Sequence, residues 1–188
     1  TQRTSSAASD VYKRQANAGI TKFGEVGSLQ QSERKELFYL LCLGVIDLLE
    51  EYIPKMVSQG RGRIVIISSI GAVTPMPKSS IYASAKSAIN SYGQSLAKEL
   101  SAKNVSVTVS LPGYVKTEAH SRAGLHHLRD KVPGWMWISA EQVVLETEKA
   151  SLKGKVNVIP GLVYKLVRPF LSMSLANTLW SKITKRRS

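Results

Sequence analysis

Between Leu29 and Val57 the apolar positions Leu37, Leu40, Leu41, Val45, Leu48, Leu49, Tyr52 and Ile53 recur at spacings of three and four. That period predicts one long amphipathic helix, with Ser28 as its cap and Gly60 and Gly62 at its end. The pattern then changes. Arg63 to Ser69 is a short continuous β-branched run, as expected of a strand buried on both faces of a parallel sheet. Ser79 to Ala102 predicts a second helix, and Val105 to Leu111 a second strand stopped by Pro112-Gly113. After a loop and short helical region from Glu118 to about Val132, Ser139-Ala-Glu-Gln142 resembles a capping pattern that opens a third helix. Lys155 to Ile159 reads as a last strand, closed by Pro160-Gly161. Helix and strand in alternation predict an α/β chain: a doubly wound parallel sheet with helices on both faces. In such sheets ligands bind at the carboxyl ends of the strands. There the chain places Ala16-Asn17-Ala18-Gly19, Ser68-Ser69 and Pro112-Gly113-Tyr114-Val115-Lys116-Thr117.

Composition narrows the compartment. The single Cys42 among 188 residues excludes a disulfide scaffold and a cysteine-based zinc site. No apolar run reaches the roughly 18 to 20 residues of a membrane span, and the first residues lack the apolar stretch of a signal peptide. The expectation is a cytoplasmic protein.

A net charge of +13 invites a nucleic-acid reading, and its distribution argues against one. Residues 16–148 carry 14 basic and 12 acidic side chains, so the body is nearly neutral and has no basic stripe interleaved with aromatics. Residues 149–188 carry nine basic side chains and no acid. No nucleic-acid partner is expected.

Residues 1–15 are expected to be foreign. Asp10-Val-Tyr-Lys-Arg-Gln15 can be written back as GAT GTG TAT AAG AGA CAG, which resembles the end of a transposase-inserted sequencing adapter, and the preceding SSAAS fits the rest. Treated as such a scar, they are left out of the fold reading, and the native segment begins near Ala16; the alternative is an ordinary polar N-terminal strand, Asp10 to Gln15, leading into Ala16-Asn17-Ala18-Gly19.

The chemistry concentrates on Tyr82-Ala-Ser-Ala-Lys86, at the start of the second helix, where a spacing of four stacks phenol and ammonium on one face. A phenol ionises near pH 10 in its unperturbed state, and a neighbouring cation favours the phenolate, which suits acid–base work nearer neutrality. Ser69, thirteen residues earlier at a strand end, offers a hydroxyl to the substrate oxygen that Tyr82 would protonate or deprotonate.

In order and spacing, Asn17-Ala18-Gly19, strand-ending Ser69, Tyr82 with Lys86, and Pro112-Gly113 with Thr117 resemble the NNAG, catalytic Ser, YxxxK and PGxxxT elements of the short-chain dehydrogenase/reductase family. The resemblance covers roughly residues 16 to 160. It implies a Rossmann-type fold and hydride transfer between NAD(H) or NADP(H) and an alcohol/carbonyl pair. It further implies Tyr82 as general acid/base, Lys86 on the nicotinamide ribose and lowering the tyrosine pKa, and Ser69 on the substrate oxygen. Asn17, Ala18 and Gly19 would shape the strand end beside the cofactor. Pro112, Gly113, Val115 and Thr117 would line its nicotinamide side. A homo-oligomer is also implied for the full-length protein.

Two departures accompany the resemblance. The family's helix asparagine, which supports a water behind the lysine, aligns with Leu41 when Gly44 is matched, and leucine holds no water. The glycine-rich GxxxGxG turn that receives the diphosphate is absent from the chain. The expectation is a chain lacking about 70 to 80 residues of three strands and two helices, and therefore neither binding dinucleotide tightly nor turning over as given.

Three features carry weaker readings. His120, His126 and His127 have no Asp, Glu or Cys set at ligand spacing, so no metal is assigned, and a loop or substrate-lid role is preferred. Trp135 and Trp137 suit an apolar wall of a lipophilic substrate pocket or ordinary packing equally well. Residues 161–188 form a basic amphipathic tail in which Leu171, Leu175, Leu179 and Ile183 make one stripe and Lys182, Lys185, Arg186 and Arg187 end the chain. Such a helix lies on an anionic membrane surface or packs on its own domain. The first option supports an alternative function, a non-catalytic protein of the same fold acting at a membrane surface.

Overall fold

The computed structural model describes residues 13–16, 22, 24–117 and 132–171. Strand β1 (Lys13–Ala16) is followed by α1 (Gln31–Phe38), a π-helical turn (Tyr39–Leu43), α2 (Gly44–Ser58) and β2 (Gly62–Ile67). Helix α3 (Ser80–Glu99) and β3 (Val105–Ser110) come next, then β4 (Tyr114–Lys116), β5 (Trp137–Ser139), α4 (Ala140–Leu152), β6 (Asn157–Val158) and α5 (Leu162–Leu171). The main sheet has the order β1-β2-β3-β6, every pair parallel.

Alternation along β2 and β3 sorts the helices between the two faces. Ile66 and Val109 point towards α3, which comes so close that a side chain on Gly93 would meet Val109 at 2.5 Å and Ile66 at 3.0 Å. On the other face the Ser110 hydroxyl bonds that of Thr147 on α4 at 2.8 Å, and Thr108 donates to the Lys155 carbonyl at 2.7 Å. These buried hydroxyls are paired, so the sheet accepts a polar face without a desolvation cost. The layering is the expected doubly wound one.

Two boundaries differ from the sequence expectation. Ser28 does not cap α1, because its hydroxyl donates to the Glu25 carbonyl; the helix opens at Gln31, where Glu33 accepts the Gln30 N–H at 2.9 Å. The single long helix is interrupted by the π turn, in which the Gly44 N–H reaches back five residues to the Tyr39 carbonyl. Strand β1 begins at Lys13 and pairs Lys13 to Ala16 with Arg63 to Ile66, so residues assigned to the scar take part in the ladder. A parallel ladder uses only backbone groups and is indifferent to where those side chains came from.

The small β4–β5 ribbon went unread in the sequence, since three-residue strands carry too little alternation to register. It is held by Tyr164 of α5, which is fully buried. The Tyr114 N–H donates to the Tyr164 hydroxyl at 2.9 Å, and that hydroxyl donates to the Met136 carbonyl at 2.5 Å. Gly113 lies on the ring, where a Cβ would sit 1.9 Å from the nearest ring carbon. Tyr164→Phe leaves two buried backbone groups without this partner and should lower unfolding free energy by about 1 to 3 kcal/mol, read from urea denaturation. Gly113→Ala should cost more, by overlap with the ring; an unchanged midpoint in both would refute the arrangement.

Candidate active site

The carboxyl end of β2 is locked to its neighbours by backbone bonds that continue past the strand. Ser68 N–H donates to the Ser110 carbonyl at 2.8 Å and Ile70 N–H to the Pro112 carbonyl at 2.9 Å. Ser69 lies between these two bonds with an extended backbone, its orientation fixed by the register. Its hydroxyl accepts the Gly71 N–H at 3.1 Å, which starts a short 3-10 turn over Ile70–Ala72.

That turn brings the serine to the tyrosine. A Cβ built on Gly71 would lie 3.4 Å from the Ser69 hydroxyl and 3.5 Å from the Tyr82 ring, so both groups border one small space. Met76 closes the same space, its sulfur 2.3 Å from that point, so a side chain on Gly71 would have to displace it.

Lys86 follows Tyr82 by one helical turn and is only 4% exposed. Its ammonium donates to the Ile67 carbonyl at 2.9 Å, while the Ser68 hydroxyl donates to the Lys86 carbonyl at 2.8 Å. Strand end and helix thus hold each other reciprocally. The ammonium is 6.0 Å from the centre of the Tyr82 ring. Burial pulls the Lys86 pKa down to about 8, and the nearby Cys42 offsets this in part. The Cys42 thiol is itself pushed up by burial, with Lys86 opposing.

The structure therefore brings Ser69, Tyr82 and Lys86 together, with Pro112 tied to the same strand end. Gly113 rests on Tyr164 one residue on, Val115 lies in β4 opposite Ile138, and half-buried Thr117 follows that strand. Asn17, Ala18 and Gly19 lie outside the described residues, as do the three histidines and residues 172–188 of the tail. Leu41 is buried in the core on the π turn, and the neighbour that interacts with Lys86 is Cys42. The tryptophans separate: Trp137 packs beside Tyr114 with ring centres 5.4 Å apart and bonds the Val132 carbonyl, while Trp135 is exposed.

Sequence reasoning set Ser68 at the strand end without a role and missed Gly71 and Tyr164. Ser68 gave a signal, two adjacent serines at a strand end, but alternation alone does not say which faces the helix. Gly71 and Tyr164 stand in no motif of their own and reach the motif residues only in the folded chain.

Comparison with known proteins agrees with this geometry. The family model described as short chain dehydrogenase matches residues 15–126. A dehydrogenase/reductase SDR family member 7B of Danio rerio is 32% identical over 119 residues, covering 60% of this chain and 38% of the relative. An uncharacterized oxidoreductase of Methylorubrum extorquens is 33% identical over 109 residues, covering 58% and 43%. The chain thus spans less than half the length of these curated relatives. Among solved structures, a short-chain dehydrogenase from Sphingobium yanoikuyae in complex with NADPH superposes with a TM-score of 0.77 at 23% identity, over 97% of this chain and 69% of that one. With the family model covering more than half of its residues, and the parallel sheet and strand-end constellation in place, the chain belongs to the short-chain dehydrogenase family.

Proposed function

We propose that the chain is the catalytic, nicotinamide-facing part of an NAD(P)-dependent oxidoreductase that interconverts an alcohol and a carbonyl compound, with Tyr82 as its general acid/base. The observation that carries this reading is the burial of Lys86. A lysine held against a backbone carbonyl in a dry strand end opposes folding, and such groups are retained where a depressed pKa and a fixed cation have chemical use. Solved relatives bound to NADPH, NADP and NADH support the cofactor class.

The residues present fit the nicotinamide end of such a cofactor. The Ile67 carbonyl takes one of the three ammonium hydrogens of Lys86, leaving donors for ribose hydroxyls beside Tyr82. Pro112, Gly113, Val115 and Thr117 form the adjoining wall, and Asn17, Ala18 and Gly19 are assigned to the neighbouring strand end. The glycine-rich diphosphate turn is not in this sequence. When bound, the nicotinamide supplies or accepts the hydride. The Tyr82 hydroxyl gives a proton to the carbonyl oxygen, or takes one from the alcohol, and the Lys86 cation stabilises the phenolate so formed. The Ser69 hydroxyl holds the same oxygen, and Trp137 with Tyr114 offers an apolar flank to a lipophilic substrate. Exposed Tyr39, Leu40 and Leu43 offer a face for self-association of the full-length protein.

In full-length protein containing this chain, Tyr82→Phe should reduce carbonyl reduction by about 10²- to 10⁴-fold with NAD(P)H binding retained. Unchanged turnover would refute the assignment of Tyr82, and no turnover in the unaltered full-length protein would instead favour a non-catalytic protein of this fold, the reading that Leu41 suggests. The chain as given should show no micromolar binding of NADPH or NADH in calorimetric titration, since it lacks the diphosphate turn; micromolar binding would refute that account.

Burial of Lys86 also sets a pH dependence. With a folded pKa near 8 against about 10.4 unfolded, the unfolded state holds more protons between those values, so stability rises with pH across that window. Relative to Lys86→Met, the wild-type chain should gain about 3 kcal/mol between pH 8 and 10.5, measured from urea midpoints. A flat difference would contradict the buried cation.

A further inference from the structure

Met76 stands apart from the packing around it. It is half-buried, yet it belongs neither to the apolar core nor to the half-buried apolar residues packed against that core. Its sulfur nevertheless lies on Gly71, 2.3 Å from where a Cβ would sit, and that same point is 3.4 Å from the Ser69 hydroxyl and 3.5 Å from the Tyr82 ring. A thioether outside the core thus closes the space that Ser69 and Tyr82 share.

The backbone beneath this side chain is fixed. Pro75 and Pro77 flank Met76, and each proline restricts its own φ and biases the residue before it towards extended backbone. The Met76 carbonyl accepts the Ser79 N–H at 3.0 Å, and the Lys78 carbonyl accepts the Gly24 N–H at 2.9 Å. With its root held, the sulfur moves only by the side-chain torsions of Met76, which adapt readily to what lies beside them.

Ser69 accepts the Gly71 N–H at 3.1 Å, which leaves its own hydrogen for a substrate oxygen. When that oxygen is held by Ser69 and Tyr82, the carbon bearing it is one bond away. A substituent turned towards Gly71 then meets the Met76 sulfur, and the other is turned away from it.

We propose that Met76 sets the size limit on one side of the reacting carbonyl, so that the site takes aldehydes and methyl ketones and discriminates against ketones with two bulky groups. The inference rests on the carbonyl chemistry assigned above to Ser69 and Tyr82. Exclusion by contact in an apolar pocket discriminates by about 10- to 200-fold for each methylene-sized increment.

The test uses full-length protein containing this chain, with NADPH or NADH, and benzaldehyde, acetophenone and butyrophenone as probes. The unaltered protein should reduce benzaldehyde and acetophenone with kcat/KM about tenfold or more above that for butyrophenone. Met76→Ala should raise kcat/KM for butyrophenone by about 10- to 200-fold and leave benzaldehyde unaffected, while Met76→Leu, of similar volume, should keep the original preference. Gly71→Ala should sharpen the preference for benzaldehyde and lower the urea midpoint, and adding Met76→Ala to it should reverse both effects. Reduction of all the probes with unchanged ratios in Met76→Ala overturns the role of Met76 and leaves the carbonyl chemistry standing. An equal gain for every probe makes Met76 a barrier to entry and also overturns it, as does a Gly71→Ala midpoint that Met76→Ala does not restore. No reduction of any probe by the unaltered protein, with NAD(P)H still bound, overturns the carbonyl chemistry and this inference together.

Discussion

The bond from the Lys86 ammonium to the Ile67 carbonyl is the contact on which the site depends. It takes a charge out of water, which costs free energy, and places it at the one point where β2 ends and α3 begins its second turn. Together with the Ser68 hydroxyl on the Lys86 carbonyl, it fixes the helix against the strand in both rotation and translation. Tyr82, one turn earlier on the same face, inherits its position from that lock. Ser69 inherits its own from the ladder beneath, through the bonds of Ser68 and Ile70 to the end of β3. Two side chains from separate elements are therefore brought to one strand end by the ladder and by Lys86.

The wall opposite is built differently. The segment from Pro112 to Thr117 leaves the main sheet and makes its own short ribbon with β5, so it lacks the support of long parallel strands. Its rigidity comes from Tyr164, a residue some fifty positions later, which replaces a neighbouring strand by donating and accepting the bonds such a strand would have supplied. The site thus rests on a backbone ladder on one side and on one phenol on the other.

How much of this was legible depends on the range of the signal. Helix and strand periods over Arg63–Ser69, Ser79–Ala102 and Val105–Leu111 extend far enough to reveal the elements, and the structure keeps them within a few residues. The Tyr82, Lys86 and Ser69 positions were readable because acid–base chemistry demands those residue types at strand and helix ends. The π turn was not, since one inserted residue shifts the helical phase by about a third of a turn and leaves the apolar count intact. Nor was the place of Cys42 near the buried Lys86. Tyr164 stood in an apolar run where any buried aromatic would look the same; only its two backbone partners distinguish it.

Ser68 and Ser69 are chemically identical neighbours with opposite duties, one turned to the helix and the other to the site, and only the parity of the extended chain assigns them. A slip of one residue along β2 would carry Ser68 to the place of Ser69 and Ile67 to the place of Ser68. The site would keep a hydroxyl and the helix would lose its lock, so the register of this strand is guarded by the helix side and not by the chemistry of the site.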